Sequence, residues 1–254
     1  AQLVRYFKED FADYCKKNNI VSEFVRFHPL VRNAKKFKGM YEVKYSRQTV
    51  GTNLKKYDDP FQEEFSRSCR KNVRRALREG VSYKVTAAPD NIDSFKEIYY
   101  QTMDRNNANE YYYFDDQYFS QCLKYFKSNL LIVKAIYDDK TIAMGFYFIY
   151  DKTIHIHLSG TLNDYLYLSP AYILRYAVTQ WGKENGYDLI HHGGGRSGRA
   201  KDSLYLFKKQ FGANTSFDFF LGKKIWNTGM YEKLCLERGV DANIEFFPAY
   251  RERI

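Results

Sequence analysis

Apolar residues recur every three to four positions over residues 6–17. Phe7, Phe11, Tyr14 and Cys15 then share one face, which predicts a first helix. The pattern next becomes extended. Residues 23–30 read as a strand that Pro29 ends, and residues 41–54 alternate loosely with β-branched and aromatic side chains. A longer helix is predicted to follow. Asp58 and Asp59 offer caps, Pro60 suits the first turn, Glu63 and Glu64 suit the positive end of the dipole, and Gly80 closes it. Inside it Phe61, Phe65, Cys69, Val73 and Leu77 recur every four residues as a buried stripe.

From Val81 onward one order of elements emerges. Residues 81–87 predict a strand. Residues 91–106 predict a helix with Phe95, Ile98, Tyr99 and Met103 on its apolar face, and residues 115–127 a second. Strands follow over 130–137, 141–150 and 153–161, joined by Asp138-Asp139-Lys140 and Asp151-Lys152 as tight turns of an antiparallel meander. Ser169 and Pro170 start a helix that Gly186 stops. A strand over 187–192, a glycine-rich loop, a helix from Asp202 or Ser203 and a last strand over 217–226 complete the chain. The order β-α-α-β-β-β-α-β-α-β resembles a GNAT acyltransferase domain, a mixed α/β fold. In that fold two central parallel strands splay apart and the acyl donor enters the gap. Here those strands would be 153–161 and 187–192, and open α/β sheets bind ligands at such breaks.

Composition narrows the class. The 254 residues are 44% hydrophobic and 18% aromatic, enough for a large core. A formal net charge of +10 attracts polyanions: nucleic acid, nucleotides or anionic lipid. Cys15, Cys69, Cys122 and Cys235 lie far apart and form no CxxC, so they suggest neither a zinc knuckle nor a disulfide framework, and a reducing cytoplasm fits. No apolar run reaches the roughly 20 residues a membrane span needs. The N-terminus carries no signal pattern, and its lack of Met predicts further sequence upstream.

Three features carry candidate chemistry. Gly193-Gly194-Gly195-Arg196 lies between a strand and a helix. Glycines let a backbone approach a ligand, but a plain flexible turn explains them equally. Lys208 lies at the edge of the apolar face formed by Leu204, Phe207 and Phe211, where a lysine either snorkels outward or holds a fixed charge in a cleft. Arg67, Arg70, Lys71, Arg74 and Arg78 form a nearly unbroken positive helix face, which is either a phosphate-binding surface or a solvated one. His155 and His157, with His191 nearby, make a zinc site conceivable, yet packed strands explain them as well, and no metal is assigned. Residues 162–170 hold no glycine, whereas CoA-binding GNAT domains carry a glycine-rich pyrophosphate cradle there. This argues against acetyl-CoA as the donor.

The segments FVRFHPL at 24–30, RKNVRRALREG at 70–80, YYQTMDRNNANEYYYF at 99–114, LSGT at 158–161 and HHGGGRSGRAKDSLYLFKKQFG at 191–212 together resemble FemABX proteins. These are aminoacyl-tRNA-dependent peptidyltransferases built from tandem GNAT-like domains. The resemblance implies that residues 1–88 are the later part of a first GNAT-like domain and that 89–254 are an essentially complete second one. No helical arm is inserted, as in the FemX-like branch. It implies transfer of an amino acid from aminoacyl-tRNA, a co-substrate in place of any cofactor, to an amine of a UDP- or lipid-linked muramyl-peptide precursor. It also implies a bacterial cytoplasmic location, with peripheral contact at the inner membrane face. By the same resemblance Lys208, preceded by Phe207, is the cation for the oxyanion. Arg26, Arg105 and Arg196 suit acceptor phosphates, with no ranking among them. The charge pattern, and not the resemblance, makes Arg67 to Arg78 the landing surface for the tRNA. The alternative is N-acylation from acyl-CoA or acyl carrier protein onto a sugar or peptide.

Overall fold

The computed structural model describes residues 2–92, 94–199 and 201–252. In chain order the elements are α1 (Gln2–Lys17), β1 (Ser22–Arg26), β2 (Glu42–Asn53), α2 (Pro60–Glu64), α3 (Arg67–Arg78), β3 (Ser82–Ala87), α4 (Phe95–Arg105), α5 (Asp116–Phe126), β4 (Leu130–Tyr137), β5 (Lys140–Tyr150), β6 (Thr153–Thr161), α6 (Pro170–Glu184), β7 (Leu189–Gly194), α7 (Ser203–Lys209), β8 (Ser216–Ile225) and α8 (Thr228–Glu237). Short 3-10 turns occupy several of the connections.

The chain forms two compact units. One comprises the described residues up to Gln48 together with those from Phe217 onward; the other is Thr49–Ser216. This division differs from a cut after residue 88. The stripe of α2 and α3 explains why: Phe61, Phe65, Cys69 and Val73 are buried in the same core as Ile173, Leu174 and Ala177 of α6.

In the Thr49–Ser216 unit the strand order is β2-β7-β6-β5-β4-β3. All neighbours are antiparallel except β6 and β7. The meander forms as its turns predict. Asp138 and Asp139 both take positive φ (46° and 57°), as a two-residue hairpin with the right twist requires. β4 is a continuous apolar run because both faces are covered. Leu131, Val133 and Ala135 face the core with α6, whereas Leu130 and Ile132 face Phe95, Ile98, Tyr99 and Phe119 of α4 and α5.

The helix predicted to run unbroken to Gly80 is two helices. Phe65 is extended (ψ 134°), and Ser66 then caps α3 by accepting from the Cys69 amide. The break is held because Arg70 donates to the Phe65 carbonyl and the Ser66 amide donates to Gln210 at 2.8 Å. Within α3 the 3.6-residue turn drifts off a strict four-residue repeat, so Ala76 is fully buried and Leu77 only half-buried. Ser169 precedes α6 as expected but sits in the left-handed region without capping it. β7 extends through Gly194, so Gly193 and Gly194 are strand residues.

In the other unit β8 lies between β1 and β2. β1 and β8 are antiparallel, with Ser22 opposite Ile225. Phe27, Met40 and Tyr41 are buried there with Phe11, Phe37 and Trp226 against them. The Glu23 carboxylate accepts from the Tyr41 hydroxyl and from Trp226 Nε1. Helix α8, absent from the sequence-based order, buries Tyr231 and Cys235. Among the described residues no helix is long and apolar enough to cross a membrane.

Candidate functional site

β6 and β7 are parallel neighbours over three residue pairs, from Thr153 with Leu189 to His155 with His191. Beyond that β6 runs on to Thr161 and β7 to Gly194 without pairing with each other, which is the splay the element order predicts. On its other side β7 pairs with β2 through an irregularity. Gly51 faces His191 and Val50 faces Gly193, leaving His192 as the extra residue of a bulge.

Lys208 of α7 reaches this splay. Its Nζ donates to the Gly194 carbonyl at 2.8 Å. Burial, then the charge of Arg175, push its pKa down to about 8 from an ordinary 10.5, against an opposing pull from Asp202. Of the two fates open to an apolar-edge lysine, this is the fixed charge. Phe207 packs edge-on against Tyr172 and Phe211, with centroids 5.7 and 5.1 Å away.

Asp202 ties the glycine segment to α7. It caps the helix through the Tyr205 amide at 2.9 Å and accepts from the Ser197 amide and hydroxyl at 2.7 and 3.0 Å. Those amides lower its pKa to about 2. A side chain on Gly195 would overlap this carboxylate. Gly193 takes φ +74°, and a Cβ there would stand 3.4 Å from Lys208 Nζ. Gly195 thus accommodates Asp202 and Gly193 supplies a left-handed backbone, while Arg196 is exposed in the loop.

Two further polar side chains lie buried beside Lys208. Arg175 of α6 is 5% exposed; it donates Nη1 to the Tyr147 hydroxyl of β5 and Nη2 to Ser159 of β6 at 3.5 Å. It stands over the rings of Tyr147 and Phe211, 5.4 and 6.0 Å from their centroids. Its Nε has no hydrogen-bond partner. His192 Nε2 lies 2.8 Å from Thr52 Oγ1, and that hydroxyl donates its one proton to the Phe211 carbonyl at 2.6 Å. Nε2 must therefore carry the proton, leaving Nδ1 a bare acceptor, buried and without a partner. Burial, then Arg175, His191 and Lys208, hold the imidazole neutral.

The other candidates lie elsewhere. Arg105 of α4 is bound at Thr161, Asn163 and Thr102, where it ties α4 to the end of β6. Arg26 ends β1, opposite Leu221, in the other unit. Arg67, Arg70, Lys71, Arg74 and Arg78 line a concave surface of about 1220 Å³ with Gln62, Ser68 and Leu77. Arg70 is committed to the Gln62 and Phe65 carbonyls, and Arg74 to Gln62 Oε1 and the Phe61 ring. Arg67, Lys71 and Arg78 make no hydrogen bond or ion pair among the described residues. His155 stands beside His191, ring centroids 5.6 Å apart, whereas His157, a bulge residue opposite Phe146 and Tyr147, meets Tyr118 Oη at 2.6 Å. The described residues hold no group of three or more potential metal ligands. Sequence reasoning passed over Arg175 and His192. The available signal for Arg175 was a lone arginine among Ile173, Leu174, Ala177 and Val178 on the apolar face of α6.

A sequence-family profile described as an acetyltransferase (GNAT) domain matches residues 64–202. The UDP-N-acetylmuramoylpentapeptide-lysine N(6)-alanyltransferase of Weissella viridescens is 23% identical over 176 residues, 68% of this chain and 51% of that protein. The chain thus spans about half the length of that relative. Among solved structures, the crystal structure of FemX shares the fold with a TM-score of 0.70 at 12% identity, over 90% of this chain and 78% of that one. The C-terminal domain of a putative lysylphosphatidylglycerol synthetase from Agrobacterium fabrum shares it with a TM-score of 0.62 at 15% identity, over 87% and 72%.

Proposed function

Because the chain belongs to the GNAT acetyltransferase-domain family, with just over half its length matched, we propose that it is an acyltransferase of FemABX type. It moves an amino acid from aminoacyl-tRNA to an amine of a muramyl-peptide precursor. The observation that carries this reading is a partly buried lysine, Lys208, fixed on the Gly194 carbonyl where β6 and β7 part. The alanyltransferase relative supports the acceptor class.

In the reaction the acceptor amine attacks the ester carbonyl of the aminoacyl-tRNA. A C–N bond forms, and the tetrahedral intermediate bears an oxyanion. Its collapse breaks the ester C–O bond, and the ribose oxygen leaves with the proton lost by the amine. Lys208, as the ammonium ion, stabilises the oxyanion; one such donor is worth about 3 kcal/mol, or 10²–10³ in rate. His192 is not the base, because a proton on its Nδ1 would place a third cation beside Arg175 and Lys208. Phe207 keeps the lysine stem against an apolar wall. The open positive surface on α3 suits the tRNA backbone.

An acyl-CoA donor is disfavoured by the β6–α6 connection. Residues 163–168 form a 3-10 helix, and Arg75 occupies the Tyr167 carbonyl and Ser169 hydroxyl just ahead of α6. The test is transfer of radiolabelled alanine from alanyl-tRNA to UDP-linked muramyl pentapeptide. The Lys208→Ala variant is expected to lose at least 10² in rate while still binding tRNA. Full transfer by that variant overturns the site assignment, and turnover with acetyl-CoA in place of alanyl-tRNA overturns the donor.

A further inference from the structure

We infer that Tyr167, in the turn between β6 and α6, is a stacking platform for an unpaired nucleotide at the 3′ end of the tRNA, set beside the positive face of α3. The inference rests on the reading of aminoacyl-tRNA as the donor. The ring is exposed while its backbone is held. Tyr167 is 63% exposed and Leu166 before it 44%, yet Leu168 is buried and Tyr165 packs against the core. The Ser169 amide closes the 3-10 turn on the Leu166 carbonyl at 3.0 Å. Arg75 of α3 donates Nη2 to the Tyr167 carbonyl at 3.1 Å and to the Ser169 hydroxyl at 3.0 Å. A ring on a backbone fixed in this way loses little freedom when it meets a flat partner.

The placement names the partner. Arg75 lies four residues after Lys71 and three before Arg78, so it neighbours both on the helix surface. The turn that it holds therefore borders the concave positive face of α3. The other end of α3 reaches the transfer site, where the Ser66 amide donates to the carbonyl of Gln210, two residues after Lys208. The nine positions from Ser66 to Arg75 (75 − 66) span about 13 Å. An unpaired strand that follows α3 toward Lys208 passes Tyr167 on the way. Cations that track a backbone beside an aromatic ring that takes a base are the combination that holds single-stranded nucleic acid, with little regard to sequence. The turn itself suits a base better than a phosphate, because Asp164 lies in it and Glu79 stands 3.9 Å from Arg75. A paired stem keeps its bases stacked on each other and offers this ring no free face.

The test compares two RNA hairpins of the same duplex sequence, one blunt and one ending in an unpaired 3′ ACCA, by fluorescence anisotropy. The parent protein is expected to bind the overhang form about tenfold tighter, the scale of one base stacked on an aromatic ring. Tyr167→Ala should erase that preference while leaving the slope of affinity against salt unchanged, because no charge is lost. Tyr167→Phe, which keeps the ring, should retain the preference. The exposed side chain makes both variants mild, and the main-chain bond to Arg75 survives them. An equal preference in Tyr167→Ala, or equal binding of both hairpins by the parent, overturns the proposal. Binding of neither hairpin overturns the tRNA reading and the proposal with it. Failure of Lys208→Ala to slow transfer would instead overturn the site assignment and leave the overhang preference standing.

Discussion

Lys208 Nζ stands 3.4 Å from the point that a side chain on Gly193 would occupy, and 2.8 Å from the carbonyl oxygen of the following glycine. The lysine and the strand end are fitted to one another. Gly193→Ala would force a left-handed backbone on alanine, at a cost of about 1–2 kcal/mol, and put a methyl group in contact with the ammonium. The expected result is a lower urea midpoint together with slower transfer. An alanine variant as stable and as active as the parent would mean that the lysine does not work from this position.

The ionisation of Lys208 gives a pH signature. Its folded-state pKa lies near 8, below the ordinary 10.5, so the folded protein carries a penalty for the charged form below about pH 8. That penalty fades as pH rises toward 10.5, and stability gains over this window relative to a variant without the group. Lys208→Met should therefore exceed the parent in stability most clearly below pH 8 and match it above 10.5. Activity should run the other way: if the ammonium stabilises the oxyanion, transfer by the parent falls above about pH 8. Lys208→Arg, which stays charged, should keep whatever activity its bulk allows to higher pH. A rate that climbs steadily through pH 8 to 10 would assign Lys208 as a base instead.

Asp202 provides an acid-side counterpart. Its pKa is depressed to about 2 by amide donors that bind the charged form. Its contribution is present above the unfolded carboxyl value of about 4 and is lost as pH falls through 2. Urea unfolding of Asp202→Ala and the parent should differ at pH 6 and converge toward pH 2.5. A gap that persists undiminished at pH 2.5 would show that the carboxylate's charge is not what joins the glycine segment to α7.

Much of this arrangement was legible along the chain. The meander followed from apolar runs punctuated by Asp138-Asp139 and Asp151, because those turns depend on local φ preferences. The splay followed from the order of strands; the apolar edge on which Lys208 lies left an outward and a fixed lysine both open, and its role as a cation came from the family resemblance. Other features depend on tertiary contacts that no local pattern carries. The break at Phe65 is held by Gln210, 144 positions away (210 − 66), which periodicity through Phe61, Phe65 and Cys69 conceals. The glycine run left a ligand approach and a plain turn equally open; the structure adds that Gly195 makes room for the Asp202 carboxylate and that Gly193 takes a positive φ. Arg105 suited an acceptor phosphate by its residue type, and the structure binds it to Thr161, Asn163 and Thr102. The protonation of His192 follows from a hydroxyl on β2 and a carbonyl after α7, so it becomes visible once those elements meet.

Glu64 shows the same dependence and is a stability test. Its side chain is fully buried and accepts from the Asn53 amide at 3.1 Å, the Asn214 amide at 2.9 Å and the Thr215 hydroxyl. It thereby joins β2, α2 and the approach to β8. Glu64→Leu would remove the shared acceptor of three part-buried hydrogen bonds, at roughly 0.5–1.5 kcal/mol each. Denaturant unfolding should register a loss of about 3 kcal/mol. A loss well under 1 kcal/mol would mean that these amides find other partners.

The positive face of α3 is tested by the salt dependence of tRNA binding. Among the described residues Arg67, Lys71 and Arg78 make no hydrogen bond or ion pair, whereas Arg70 is held by the carbonyls at the α2–α3 break. A side chain that meets phosphate releases counterions on binding, and its loss reduces the slope of log K against log salt by nearly one. Each of Arg67→Ala, Lys71→Ala and Arg78→Ala should therefore flatten the slope by about that amount and weaken all tRNAs alike. Arg70→Ala should differ in kind: it releases the helix break and should lower the unfolding midpoint as well as binding. Because the three open side chains sit one turn or two apart on one helix (positions 67, 71 and 78), a backbone crossing α3 would meet them in succession, and their effects on the slope should add. If the triple variant binds tRNA with an unchanged slope, the polyanion surface lies elsewhere on this chain and the face of α3 is an ordinary solvated one.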